Sequence, residues 1–321
     1  MKIWSAILVL AVLAGCSSQP APKPVVQSEP PAPVTKEPQD GMVWIPAGIY
    51  LVGSEEGLAD EKPTHDVETP GFWMDETEVT VEQFQNFVDA TGYETVAEKA
   101  GELPDGTKFP PGSLVFVMND SGGGEWQFVE GASWKHPFGP DSKPEPNHPV
   151  VHVAYDDALA YCEWAGKRLP SEHEWEIAAR GGLLGEPFVW GQEPPNVGAV
   201  KTNVWQGEFP VKNEGSDGFI ATAPVKSFDP NGYGLYDMAG NVWEWCSDWY
   251  HAKAYDMKGI DRLKGPEASH DPDDPTVAKR VIRGGSYLCS DNYCRGYRPS
   301  ARMKTSPDTG LSHTGFRCVK D

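Results

Sequence analysis

The sequence predicts an α+β domain built mostly of turns and short strands, and three observations point to it. Glycine (34) and proline (30) are abundant among the 321 residues, which favours irregular chain over long elements. Twelve tryptophans supply large aromatic anchors able to pin such loops. Helix-start signals stand at only three places, separated by turn-rich sequence.

In chain order, Met1-Lys2 is a short basic start, Ile3 to Val12 is apolar, and Leu13-Ala14-Gly15-Cys16 closes the run. The run is too short to span a bilayer and suits a signal peptide. Leu-Ala-Gly-Cys resembles a bacterial lipobox. That implies lipidation at Cys16 and a cell-envelope location, with membrane contact through the lipid alone. Ser17, in place of an aspartate, directs the expectation to the periplasmic face of the outer membrane. Residues 16–40 are rich in proline and lack aromatic side chains, so they cannot bury enough surface to fold and read as a tether. Residues 41–321 carry no internal repeat or compositional break, and one domain is expected.

Within that domain Thr80-Val81-Glu82-Gln83 reads as a capping box, with Phe84, Phe87 and Val88 turned inward and a stop at Gly92. Asp156 is expected to cap a second helix that ends at Gly166. Ser171-Glu172-His173-Glu174 is another capping box, for a helix ending near Arg180. Short strands are expected at 43–48, 148–153 and 281–287, with turns at Asn231-Gly232 and Gly240-Asn241. The formal charge of −20 argues against nucleic acid or an anionic lipid surface as a partner. It favours solubility, and no feature calls for more than a monomer.

The most telling stretch is Arg283 to Arg298, R-G-G-S-Y-L-C-S-D-N-Y-C-R-G-Y-R, which holds Cys289 and Cys294. Five positions apart, two side chains diverge by about 140° on a helix and point to opposite faces of a strand. Their sulfurs converge only if the segment bends, and Gly284, Gly285 and Gly296 make bending easy. Converging thiols serve as a disulfide, as a soft-metal site or in redox chemistry. The residues alone leave all three open.

Several motifs together resemble the formylglycine-generating enzyme, or sulfatase-modifying factor, family. They are M-V-W-I-P-A-G at Met42, E-V-T at Glu78, G-A-S-W-K-H-P-F-G-P-D at Gly131 and H-P-V-V-H-V at His148. The series continues with A-Y-C-E-W-A-G-K-R-L-P-S-E-H-E-W-E at Ala160 and N-V-W-Q-G-E-F-P at Asn203. It ends with N-G-Y-G-L-Y-D-M-A-G-N-V-W-E-W at Asn231, the Cys289/Cys294 segment and G-F-R-C at Gly315. The resemblance implies a loop-rich fold akin to a C-type-lectin-like domain. It also implies O2-dependent oxidation of a cysteine to Cα-formylglycine in an unfolded sulfatase polypeptide bearing C-x-P-x-R. Cys289 and Cys294 would bind Cu(I), a soft ion that accepts two thiolates and leaves room for a third. Ser286 would stand near the reacting groups, and Trp243 and Tyr293 would wall the pocket.

The resemblance assigns further roles. Ca2+ would be held by Asn203, Val204, Asp217 and Phe219, and again by Asp237, Gly240, Val242 and Glu244. Oxygen donors of this kind suit a hard cation in irregular chain, although the same acids also cap turns. Cys162 and Cys318 would form a disulfide closing a long loop, worth about 3–5 kcal/mol. Cys246 is left as an inert buried thiol. Glu102 would receive the substrate arginine through a charge-assisted contact, or be one more solvated acid. The chain departs from the family at Gly296, where an arginine usually precedes the tyrosine, which is expected to loosen the loop. Two rivals stay open: a sulfoxide synthase, which needs a histidine cluster and a further domain not seen here, and a structural or maturation lipoprotein, which needs no cysteine pair.

Overall fold

Thr80 opens the first helix as expected. In the computed structural model its hydroxyl accepts from the Gln83 N–H (3.2 Å), and the Gln83 side chain accepts from the Thr80 N–H (2.9 Å). That reciprocal box starts α1, Val81–Thr91. Gly92 ends it in the left-handed region at φ 68°, where glycine carries no Cβ penalty. Val81, Phe84 and Phe87 are buried and Val88 partly so. The structure describes residues 39–321 except 103, 104, 120, 121 and 196. The leader, Cys16 and nearly all of the tether lie outside the described residues.

The second helix, α2, is Tyr155–Trp164, but Asp156 does not cap it. Asp157 does, accepting from the Ala154 N–H at 2.8 Å and also from Tyr93 Oη and the Val96 N–H. Asp156 points to solvent. The third helix, α3, is Glu172–Ala179, with Ser171 as cap and Glu174 completing the box. All eight residues of α3 are buried. The strand expected at 148–153 is absent. Val150 N–H donates to Val79, His152 N–H to Leu311 and Tyr155 N–H to Pro307. Three different partners within six residues satisfy the backbone without a ladder.

Two small sheets frame these helices. One sets Phe72–Asp75 between Met42–Ile45 and Val319–Lys320, all antiparallel. The other runs Met303–Thr305, Arg280–Arg283, Trp243–Trp249, Thr314–Gly315, the last pairing parallel. Hairpins Gly48–Val52/His65–Thr69 and Gly112–Met118/Gly124–Glu130, with the short pair Gly101–Glu102/Lys108–Phe109, complete the strands described. Fully buried Trp134, Trp175 and Trp245 anchor the core. Among the described residues no helix is long and apolar enough to cross a membrane.

Buried acid–arginine pairs tie the sheets to α3. Glu176 accepts from Gly53 N–H (2.7 Å), Arg180 Nη2 (2.6 Å), Tyr255 Oη (3.0 Å) and Arg283 Nη2 (2.6 Å). Burial alone would raise its pKa, yet the two guanidiniums hold it down at about 2. Glu244 accepts from Trp175 Nε1 (2.7 Å) and from Arg317 Nε and Nη2 (2.7 and 2.8 Å). Glu61, fully buried, takes both Nη atoms of Arg298 and the Ser300 hydroxyl. Arg283 and Arg298 are the two ends of the cysteine segment, so both of its ends are clamped. Cys162 and Cys318 sit on α2 and the C-terminal segment with Sγ atoms 3.1 Å apart, as thiols. Cys246 is buried and apart from them, with burial pushing its thiol well up.

Candidate active site

After Arg283 the chain leaves the sheet through Gly284 (φ 95°) and Gly285 (φ 78°), a turn that side-chain-bearing residues resist. Tyr287 N–H donates to Asn241 O, Cys289 N–H to Ser286 O, and Trp205 N–H to Cys289 O, each at 2.9 Å. These bonds fold the loop back on itself and bring the two sulfurs into hydrogen-bond contact. Cys289 is buried and Cys294 half-buried. Burial, then the neighbouring sulfur, pushes the Cys289 thiol well up. The same hydrogen bond, received by Cys294, holds the Cys294 thiol below its usual value, with Arg298 adding to the effect.

Both cysteines face a groove of about 960 Å3. Ser286 and Trp243 line it as expected, and so does Tyr293. Ser286 is fully buried, and its Oγ accepts from the Leu288 N–H at 3.2 Å. Trp243 is a buried wall, whereas Tyr293 is 70% exposed and stacks on Phe209 at 4.4 Å; it forms a rim and does not seal the pocket. Glu102 is not among the lining residues. It lies exposed on Gly101–Glu102, opposite Lys108, because that strand pair turns its side chain to solvent.

The structure adds residues that the sequence did not single out. Trp126, Phe209, Leu288 and His313 line the groove. Phe209 lies in the N-V-W-Q-G-E-F-P motif and Leu288 in the cysteine segment, which signalled them; Trp126 and His313 gave no sign. His313 packs on Trp126 at 4.7 Å, and desolvation, aided by His152, pulls its pKa down to about 3, so it is neutral. Gly296 is also explained. A Cβ there would sit 2.3 Å from Trp243 Cη2 and 3.1 Å from Cys289 Sγ. The glycine lets the loop close on the wall and does not loosen it. Gly296→Ala should cost about 1–3 kcal/mol by overpacking, read as a lower denaturation midpoint. A variant as stable as the parent would show that the wall yields freely.

The expected metal ligands are partly assembled. Two sulfurs meeting at the groove floor fit a soft monovalent ion. The first calcium set is gathered about Asp217, whose carboxylate accepts from the Val204 and Phe219 N–H groups (3.3 and 3.0 Å). Asn203 joins it from the next position, holding Asn241 Oδ1 at 3.1 Å. In the second set Asp237 accepts from Lys226 N–H, and Glu244 is engaged by Arg317 and Trp175. Glu78 lies beside them with Oε2 buried and unpartnered. Asp237 and then Arg317 and Glu244 act on its pKa, which burial raises first. Three carboxylates against one guanidinium fit a cation there, with Glu78 as the donor that the sequence did not single out.

Comparisons with known proteins give the family. The sulfatase-modifying factor enzyme 1-like domain matches residues 27–321. The chain belongs to the sulfatase-modifying factor family. The chain is 45% identical over 309 residues to "Formylglycine-generating enzyme" of Streptomyces coelicolor, covering 94% of this chain and 96% of that one. It is 37% identical over 297 residues to "Inactive C-alpha-formylglycine-generating enzyme 2" of Bos taurus, covering 87% of each. Among solved structures, PvdO from Pseudomonas aeruginosa superposes with a TM-score of 0.62 at 26% identity, over 87% of this chain and 94% of that one. The sulfatase-modifying factor fold, loop-rich and α+β, is thus the one the sequence predicts. The family includes proteins named as active and as inactive, so the site itself must decide between them.

Proposed function

We propose that this chain oxidises a cysteine in a C-x-P-x-R segment of an unfolded sulfatase to Cα-formylglycine, with O2 as acceptor and Cu(I) held by Cys289 and Cys294. The observation that carries the reading is the meeting of the two sulfurs at the floor of an open, aromatic-walled groove. Held by Cys289 and Cys294, Cu(I) would supply a soft, redox-active centre with affinity for a thiolate. Cys289 and Cys294 would hold the ion as thiolates, so binding would release their protons. Ser286 Oγ spends a lone pair on the Leu288 N–H, so its O–H is free to donate into the groove. Trp243 keeps water from the buried face of the sulfurs, and Phe209, Tyr293 and Trp126 offer a shelf for an extended peptide.

Replacing C–S by C=O at the substrate Cβ removes two electrons and releases sulfide. O2 takes those two on leaving as peroxide. If it leaves as water it takes four, and an added thiol supplies the other two. A Cu(I) titration against a chromophoric chelator should find one tightly held ion per chain. Cys289→Ser should abolish that binding. Equal binding in parent and variant would remove the copper role.

Ca2+ in this proposal is structural, held by the Asp217 set and by the Asp237–Glu244 set with Glu78. Lipidation at Cys16 would tether the domain to the envelope. Cys162 and Cys318 would close as a disulfide in an oxidising compartment, and non-reducing peptide mapping should recover them as one cross-linked species. Recovery of Cys162 joined to Cys246 would overturn that pairing.

A further inference from the structure

Away from the cysteine pair, Glu172, His173 and Asp248 each place a ligand atom within 4.8 Å of the other two, and all three residues are buried. Glu172 and His173 open α3, and Asp248 stands on Trp243–Trp249. The hydrogen bonds fix which atoms are free. His65 Nδ1 lies 3.0 Å from Pro63 O; a carbonyl only accepts, so Nδ1 carries the proton and Nε2 is a lone pair. His65 Nε2 lies 3.0 Å from His173 Nε2, so His173 donates from Nε2. Its Nδ1 is left as a bare lone pair, buried and without a partner. Asp248 repeats the pattern. Oδ2 accepts from the Glu172 N–H (2.8 Å) and the Ser247 hydroxyl (3.3 Å), while Oδ1 is buried and unpartnered.

Two buried polar atoms in one cluster, each on a group oriented through its other end and neither with a hydrogen-bond partner, is the arrangement that metal-ligating histidines and carboxylates adopt. We infer that Glu172, His173 and Asp248 form a second metal site, distinct from the cysteine pair, for a divalent transition ion of the Zn(II) class. An imidazole with carboxylate oxygens favours such an ion over Ca2+ or Mg2+, and the absence of sulfur disfavours Cu(I). Glu172 gives each oxygen once to Arg302 (Nε 2.8 Å, Nη2 2.9 Å), which leaves each a lone pair. Arg302, and Arg283 at 4.0 Å, offset the Glu172 charge, so His173 and Asp248 dominate the affinity, which is moderate. Arg302 also lines the groove, so a route from solvent ends one side chain from the site. A single water donating both hydrogens is the competing occupant.

Co(II) is the probe, added to the full-length protein after exhaustive chelation. The inference expects one equivalent bound, with d–d absorption, no thiolate-to-metal charge-transfer band, and displacement by Zn(II). Asp248→Asn keeps the shape and the Oδ contact with Glu172, and should weaken binding at least tenfold. It should also abolish the Zn(II)-dependent rise in Tm seen for the parent. His173→Ala should do the same where it folds. No Co(II) binding, binding with a thiolate band only, or equal affinity in parent and Asp248→Asn would each overturn the site, and the first would assign the space to water.

Discussion

Serine at Cys289 or at Cys294 should reduce aldehyde formation by at least about a thousandfold, the scale on which loss of a group central to the chemistry is felt. The two sulfurs act on each other and line one groove, so the second substitution should add little to the first. Such non-additivity marks residues that act as a unit. The fold should survive, since neither sulfur is part of the buried ionic frame. Circular dichroism and the denaturation midpoint check that point alongside the peptide assay. Activity retained at a tenth or more in either variant would separate the cysteines from the reaction.

The second large effect concerns the frame. Glu176→Ala leaves Arg283 fully buried, with Pro299 O, Tyr255 Oη and a distant Glu172 as its remaining partners. Removing one partner of a buried pair in this way costs about 3–5 kcal/mol, read as a shift in the denaturant midpoint. The sign of the pH dependence follows from the lowered pKa of Glu176, about 2 when folded, against about 4.3 when unfolded. Its stabilisation is complete above the unfolded value and is lost as pH falls from there through about 2. The parent should therefore lose stability over that acid window, and the variant should lose less. Because Arg283 leads into Gly284 and Gly285, the variant should also lose the copper binding proposed for the cysteine pair, which a distant destabilisation would leave alone. An unchanged midpoint would remove Glu176 from the frame.

What was legible in the sequence was local. Thr80/Gln83 and Ser171/Glu174 announce their helices because a capping box is complete within four residues. Asp156 was misread because Asp157 is set by Tyr93 and Val96, some sixty positions away, which no local pattern reveals. The stretch 148–153 is apolar enough to suggest a strand, yet its backbone partners are scattered over Val79, Val81, Glu145 and Leu311. At the site, Cys289, Cys294, Ser286 and Trp243 were recognisable from one continuous segment and one motif. Glu61, which holds Arg298 across 237 positions, and His313, which reaches the groove beside Trp126, were not. Glu102 lies exposed and outside the groove lining: a motif gives position along the chain and not the direction in which a two-residue strand turns its side chain. Gly296 shows the converse, since only the packed Trp243 ring explains it.

The most direct test is mass spectrometry of a synthetic peptide containing C-x-P-x-R, incubated under air with the Cu(I)-loaded protein and an added thiol. The proposed oxidase should convert the cysteine to an aldehyde that reacts with a hydrazide probe, with release of sulfide and no conversion when O2 is excluded. A peptide whose thiol is intact after copper loading has been verified would contradict that account and place the chain with the inactive members of its family.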